Sequence, residues 1–441
     1  MESSRVLKEF IFYLSENYLV YPFFAIFVAS VWVSFKSRFI QIRTIPSMLK
    51  MLFYSEQTQD KNDQTVSPRT ALFTAMSTSI GMGNIVGPIV ALGMGGPGAL
   101  AGFVIATLFG AAITFAEVNM ALTMRRKNPD GSYSGGPMHY LKLIFSERIA
   151  QFYAFVALAL LTAWSANQAN NISILLEAKG VPTYLSGFFM ACSIILILVG
   201  GITRIGALND KLVPIMFILY TSATMWIIGQ NLAMLPAMFA LMLRGLFSLQ
   251  GASGAGLGFG LFSAMRWGVA KGIQANETGV GTATFPHSAA STNSAYNQGV
   301  ISMVSVFSTA FLCLTSGLTV MVTGAFLVPG ATFDIRMFAA IMNDYFPLLG
   351  SSGLMACAFM FAFGTILGNC YNASQCFLYL LDKKWLKSFY IFSACVIFWG
   401  CISETIFLWT IVDFFVLPVV IPNLLAIVIL IYKNQLLFFE K

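Results

Sequence analysis

Residues 78–88 read TSIGMGNIVGP, and they stand in the middle of an apolar stretch running from Thr70 past Leu92. A stretch of that length crosses a bilayer as one helix, which needs about 20 apolar residues. Each glycine inside a helix costs about 1 kcal/mol relative to alanine. Pro88 removes a backbone donor and crowds the preceding turn. Gly81, Gly83, Gly87 and Pro88 together predict that the helix stops here. Close helix packing is the competing explanation, because Gly83 and Gly87 form a small-xxx-small pair. It accounts for the glycines but not for Asn84 beside Ser77, Thr78 and Ser79. Irregular backbone at membrane depth is tolerated only where protein or a water-filled cavity covers it. The stretch therefore predicts a broken helix facing an internal hollow.

The rest of the chain fits a membrane. It has 441 residues, 57% of them hydrophobic and 10% charged, against about 25% charged in a soluble domain. Apolar segments recur over 18–35, 70–94, 98–123, 150–177, 185–203, 208–229, 250–285, 298–328, 350–380, 386–403 and 409–432, which predicts eleven spans. Segments 231–247 and 333–346 read as short surface helices. The first span lies too deep in the chain and is too long for a secretory signal. The expected organisation is a first helix and linker over 1–69, one set of five spans over 70–229, a connection over 230–249, a second set over 250–432 and a tail over 433–441.

The net charge of +7 does not point to nucleic acid, because the basic residues flank spans and form no single patch. With the N-terminus outside, only Arg5, Lys8, Lys179, Arg244 and Arg336 of the 25 basic residues fall on the outer side. The excess of inner Lys and Arg favours that orientation, with the C-terminus in the cytoplasm. Arg266 and Lys271 are counted as inner-loop residues here. The seven cysteines all fall in or beside apolar spans without neighbouring histidines at ligand spacing, so neither a disulfide framework nor a transition-metal site is expected.

A second interruption, GIQANETGVGTATFP, spans 272–286. The two breaks lie in the first and sixth of ten consecutive spans. Five spans end on the opposite side of the membrane, so a second copy begins upside down. Paired interruptions at corresponding places point to an inverted-repeat transporter with a midplane site. Half-helix N-termini suit a carboxylate, whereas half-helix C-termini and unwound carbonyls suit Na⁺ or an ammonium group.

Three blocks then resemble a known family. GMGNIVGPIVALGMGGPGAL, followed by LFGAAITFAEVNMAL and SGGPMHYL, is similar to the alanine or glycine:cation symporter family, also called the sodium:alanine symporter family. WGVAKGIQANETGVGTATFPHSAA is similar to its GxxRGxFSNEAGxGSxPxxHAAA signature, and FGTILGNCYNASQC to its FGTxLGWxYYGEKC segment. GMGN also resembles the GLGN of neurotransmitter:sodium symporters. The resemblance covers most of residues 70–380. It implies an all-α membrane protein with one extra N-terminal helix before a five-plus-five inverted repeat, importing a small neutral amino acid with Na⁺. By motif position, Ser79, Gly83, Gln274, Ala275, Asn276, Glu277 and Asn369 are the implied substrate residues. Ser77, Ile80 and Thr365 are the implied cation residues, and Asn84 serves either a second cation or the break itself. No cofactor is implied beyond Na⁺ as coupling ion; a bacterial-type inner membrane and a monomer are the expected setting. Gln274 and Asn369 replace family aromatics, Ala275 replaces a serine and Lys271 an arginine, which leaves the preferred substrate open.

Other polar residues carry expectations of their own. Glu117, a carboxylate inside a span, is a functional candidate by default and is expected to pair with Arg125, Arg126 or Lys271. Glu277 is either a proton or cation group or a cap on the broken helix. Asn167, Gln168, Asn170 and Asn171 are expected to bond between helices, with Asn167 or Asn171 reaching the hollow. His139 and His287 are expected to be structural, and SGGPMH shows no nucleophile elbow, so an enzyme is not expected. The competing readings are a proton-coupled carrier of another small polar solute and, behind it, a solute channel.

Overall fold

The computed structural model describes residues 20–53, 65–128, 131–247 and 264–433. The start of the stretch expected over 250–285 and the tail beyond 433 lie outside the described residues. The long elements are α1 (Val20–Lys36), α2 (Pro68–Ser79), α3 (Gly83–Gly95), α4 (Pro97–Thr123), α5 (Glu147–Glu177), α6 (Thr183–Leu198) and α7 (Gly201–Gln230). They continue with α8 (Leu235–Phe247), α9 (Ala270–Ala275), α10 (Ala295–Val322), α11 (Ile335–Tyr345), α12 (Gly350–Leu380), α13 (Leu386–Ile402) and α14 (Thr405–Tyr432). Among the described residues, seven helices are long and apolar enough to cross a membrane, or eight when the bent pair α2–α3 counts as one. Three of the eleven expected spans are not among these eight. Helix α6 has 16 residues, the described residues begin at Val20 in α1, and the described part of the last stretch, 264–288, is a π turn and two short helices rather than one rod.

The bundle is held by helices packed along their lengths: α12 along α5, α10 along α4, and α13 and α14 against α5. Around them runs one continuous apolar core that includes Leu72, Ile89, Leu100, Phe115, Tyr220 and Phe361. The two shorter helices expected to lie on a surface form as α8 and α11, the latter started by Asp334, whose side chain accepts from the Arg336 amide at 2.8 Å. That is the usual device for an otherwise orphan first-turn donor.

Helix α2 begins where the sequence dictates. Ser67 accepts from the Thr70 amide at 3.0 Å, and Pro68 fills the first helical position, where its missing N–H costs nothing. It ends at Ser79, and Ile80 leaves helical geometry at φ −91°, ψ 87°. Helix α3 restarts at Gly83, bent 44° from α2.

Candidate functional site

Several groups freed at the first break have partners. Asn84 Nδ2 donates to the Ser79 carbonyl at 2.8 Å, closing the C-terminal end of α2. Pro88 lies inside α3, so the carbonyl of Asn84, four residues earlier, has no helical donor. Ser316 Oγ of α10 shares its one proton between this carbonyl at 3.2 Å and the Leu312 carbonyl at 2.7 Å, and it is bonded to the Tyr220 hydroxyl at 2.7 Å. Gly81 is required by close approach: a Cβ there would stand 2.8 Å from Thr365 Oγ1 and 3.0 Å from Gln168 Nε2. Gly83 and Gly87 do something else. Among the described residues no atom lies within 4 Å of where their Cβ atoms would be, so they are not a packing pair. They leave open space on the wall of a cavity.

The second break is irregular from Asn276 to Ala283. Glu277 holds φ +52°, a conformation uncommon outside glycine. Gly281, at φ +87°, would drive a Cβ to 2.4 Å from Pro137. The carbonyls exposed by the unwinding are met one by one. Asn423 Nδ2 donates to Gly279 at 2.8 Å, the Tyr153 hydroxyl to Val280 at 2.6 Å, and Asn372 Nδ2 to Thr282 at 3.2 Å. The Thr282 hydroxyl donates to the Glu277 carboxylate. Three carbonyls of the broken backbone are thus met by side chains from other helices, as a low-dielectric interior favours.

Both breaks border one cavity of about 330 Å³. The C-terminal ends of α2 and α9 and the N-terminal end of α3 meet there, setting carbonyl-rich negative ends beside one positive end. Its wall carries Ser79, Gly83, Asn84, Gln274, Ala275, Glu277, Thr365 and Asn369, so most residues singled out from sequence come together. Asn276 does not line it: its Nδ2 donates to Thr107 Oγ1 of α4 at 2.8 Å and to the Gly272 carbonyl at 2.6 Å. Nor does Ser77, fully buried, whose hydroxyl donates to the Thr74 carbonyl at 2.8 Å and accepts from Asn209 at 3.0 Å. Ile80 is not on the wall either, although its carbonyl lies 3.2 Å from Thr365 Oγ1, just behind it.

Sequence reasoning missed Gln168, Trp164, Lys271, Val90 and Trp409 on the same wall. Trp164, Asn167 and Gln168 are one helical turn apart, a spacing that places them on one face and was the available signal. Lys271 is a correction. It was counted in an inner loop, but it lies in α9 on the cavity wall, 5.9 Å over the Trp409 ring and 3.1 Å from Gln274 Oε1. The ammonium lies over the aromatic face and donates to the Gln274 amide oxygen, a pairing favoured by the ring's negative face. Glu117 is a second correction. Rather than pairing with Arg125, it accepts from Asn423 Nδ2 at 2.7 Å, and the Tyr140 hydroxyl donates to the same asparagine. Arg125 is occupied elsewhere, donating to the carbonyls of Ser288, Ala290 and Thr292 at 2.9, 2.6 and 2.7 Å. Among the amides of α5, Asn167 and Gln168 reach the cavity, while Asn170 bonds outward to Gly400 and Ser403.

A break-lined hollow in a helical membrane bundle is the arrangement of a carrier, and the comparisons agree. The family model of the sodium:alanine symporter family matches residues 4–437. The chain belongs to that family. Relatives include an uncharacterized transporter of Haemophilus influenzae, 32% identical over 90% of this chain and 88% of the relative. Another is the sodium/alanine symporter AgcS of Methanococcus maripaludis, 30% identical over 91% and 89%. Among solved structures, MhsT in complex with L-phenylalanine matches with a TM-score of 0.60 at 16% identity, covering 83% of this chain and 89% of that one. At that identity the likeness speaks for the fold alone. This member of the sodium:alanine symporter family is therefore a helical transporter.

Proposed function

We propose that the protein is a sodium-coupled importer of a small neutral amino acid, alanine or glycine, with D-alanine and serine within range, working by alternating access. One observation carries this: the ends of two interrupted helices, of opposite polarity, border a single cavity of about 330 Å³. A zwitterion needs a positive end for its carboxylate and carbonyls for its ammonium in the same hollow. In this reading Ser79, Gly83, Gln274, Ala275 and Glu277 contact the amino acid, and Asn369 closes the cavity. Na⁺ sits by the backbone of Ser77 and Ile80 with the Thr365 hydroxyl. Asn276 acts through the shape of the second break, which its bonds to Thr107 and Gly272 support.

The same reading takes 70–229 and 250–432 as inverted five-span repeats behind one extra N-terminal span, in a single chain that works as a monomer. It sits in an inner membrane with its N-terminus outside. The name of the Methanococcus relative supports alanine and sodium. The test is uptake of labelled alanine into proteoliposomes under an inward Na⁺ gradient. Replacing Na⁺ by choline is expected to stop it, and uptake indifferent to that exchange would remove sodium coupling. Glu277 on the cavity wall favours a second reading, in which a proton is the coupling ion. Uptake driven by a pH gradient at zero Na⁺ distinguishes the two.

A further inference from the structure

Gly87 sits in the body of α3, where a glycine weakens the helix relative to alanine. Three reasons usually hold a glycine in such a place, and none applies. Its φ is not in the left-handed region, so the backbone there accepts any L residue. No described atom outside its own stretch of helix lies within 4 Å of where a Cβ would be, so no neighbour needs the room. Other glycines of α3 and α4 behave differently: a Cβ would stand 2.3 Å from the Phe333 ring at Gly93 and 2.3 Å from the Gly245 backbone at Gly98. The third reason is Pro88, since a proline crowds the Cβ of the residue before it in a helix. Yet Pro214, Pro418 and Pro422 also lie inside helices, and Val213, Leu417 and Ile421 precede them. Large residues before a helical proline are therefore tolerated in this chain. What distinguishes Gly87 is its place, half-buried on the wall of the cavity between the breaks.

We propose that the missing side chain at Gly87 is room for the side chain of the transported amino acid, so that Gly87 sets the largest substrate the site admits. The inference rests on the amino-acid importer reading and deepens it: the site takes aliphatic amino acids up to the size of valine beside alanine. Gly83, Val86, Gly87 and Val90 stand at i, i+3, i+4 and i+7, on one face of α3, and all four line the cavity. The break lies at the Gly83 end of that face. A zwitterion held by its charged groups at the break directs its side chain along the face, over Gly87 and between valines. Apolar surface there favours a hydrocarbon side chain. The cavity of about 330 Å³ is at the lower end of the range for drug-sized ligands, which leaves more space than a methyl group needs.

The test uses the full chain in proteoliposomes, with labelled alanine taken up against unlabelled L-alanine and L-valine. In the wild type, valine is expected to compete within about tenfold of alanine, because a pocket with room to spare separates hydrocarbon side chains weakly. Gly87→Ala puts a methyl group into the space. Valine is then expected to lose at least about tenfold more than alanine does, the scale of one carbon in a filled apolar pocket. The double variant Gly87→Ala, Pro88→Ala relieves crowding by the proline and keeps the methyl, so the same change in ratio is expected. It also serves where the single variant does not fold. Valine competing more weakly than tenfold in the wild type overturns the proposal, whatever the variants do. Equal losses for alanine and valine in Gly87→Ala also overturn it, since Gly87 then serves the helix or its closure. So does a wild-type ratio restored in the double variant. Sodium-dependent alanine uptake alongside any of these results leaves the importer reading intact. A folded wild-type protein that transports no amino acid takes down both.

Discussion

Asn84 stands at the first break with its two ends doing different work. Its side chain closes α2, and its carbonyl, orphaned by Pro88, depends on Ser316. Ser316→Ala is therefore expected to lower stability by about 1–3 kcal/mol, the cost of an unmet buried carbonyl. Thermal unfolding in detergent measures it, and an unchanged midpoint would show that water serves the carbonyl instead. At this scale the sequence is legible in part. Gly81 and Asn84 are readable because a helix that must stop leaves few ways to satisfy its ends. Asn276 looked like a cavity residue from its motif, yet its amide turns toward Thr107. No pattern within one segment encodes which neighbouring helix lies behind it. Asn276→Leu is expected to reduce uptake at least about tenfold while the protein stays folded, since it removes both bonds that shape the break. Thr107→Val, which removes one of them, is expected to fall between. Wild-type uptake in both would take Asn276 out of the mechanism.

Between elements, the second break is fastened by helices far apart in sequence. Asn423 of α14 joins Gly279, Glu117 of α4 and Tyr140 at once. Its loss orphans the Gly279 carbonyl and removes one partner of the buried Glu117 carboxyl. Asn423→Leu is expected to destabilise by about 1–3 kcal/mol, the cost of an unmet buried polar group. The double variant with Glu117→Gln is expected to be milder than the two single effects added, by about 0.5–3 kcal/mol, as for residues in one network. Strict additivity would separate the two residues. Apolar periodicity identified α14 as a span but carries no information about which buried polar residue anchors a loop 144 residues away. The expected pairing of Glu117 failed for the same reason. Nearness in sequence put Arg125 in reach, while the fold gave Arg125 three carbonyls of its own.

Across the whole molecule, the cavity lies on the α3 side of the breaks, and the other side is latched. Arg125 holds the carbonyls of 288–292 and lies 3.9 Å over the Tyr133 ring, while Val66 pairs with Ala290. Beyond that latch is a second hollow of about 920 Å³ lined by Tyr133, Tyr371 and Ser374. Helix α12 borders both hollows, with Thr365 and Asn369 on one and Tyr371 and Ser374 on the other. A carrier must open one side only while the other is shut, so the latch is the element whose loss should join the two spaces. Hydrogen bonds from a charged group contribute about 1.5–3 kcal/mol each, and losing several of them is enough to shift a two-state balance by orders of magnitude. Arg125→Gln is expected to raise amide exchange over 286–294 at least about tenfold while the core helices α4 and α10 stay protected. Net uptake should fall at the same time, because the shut state becomes rare. Exchange unchanged over 286–294 would mean that Val66 and the loop hold themselves closed, and that Arg125 only reports the shut state without maintaining it.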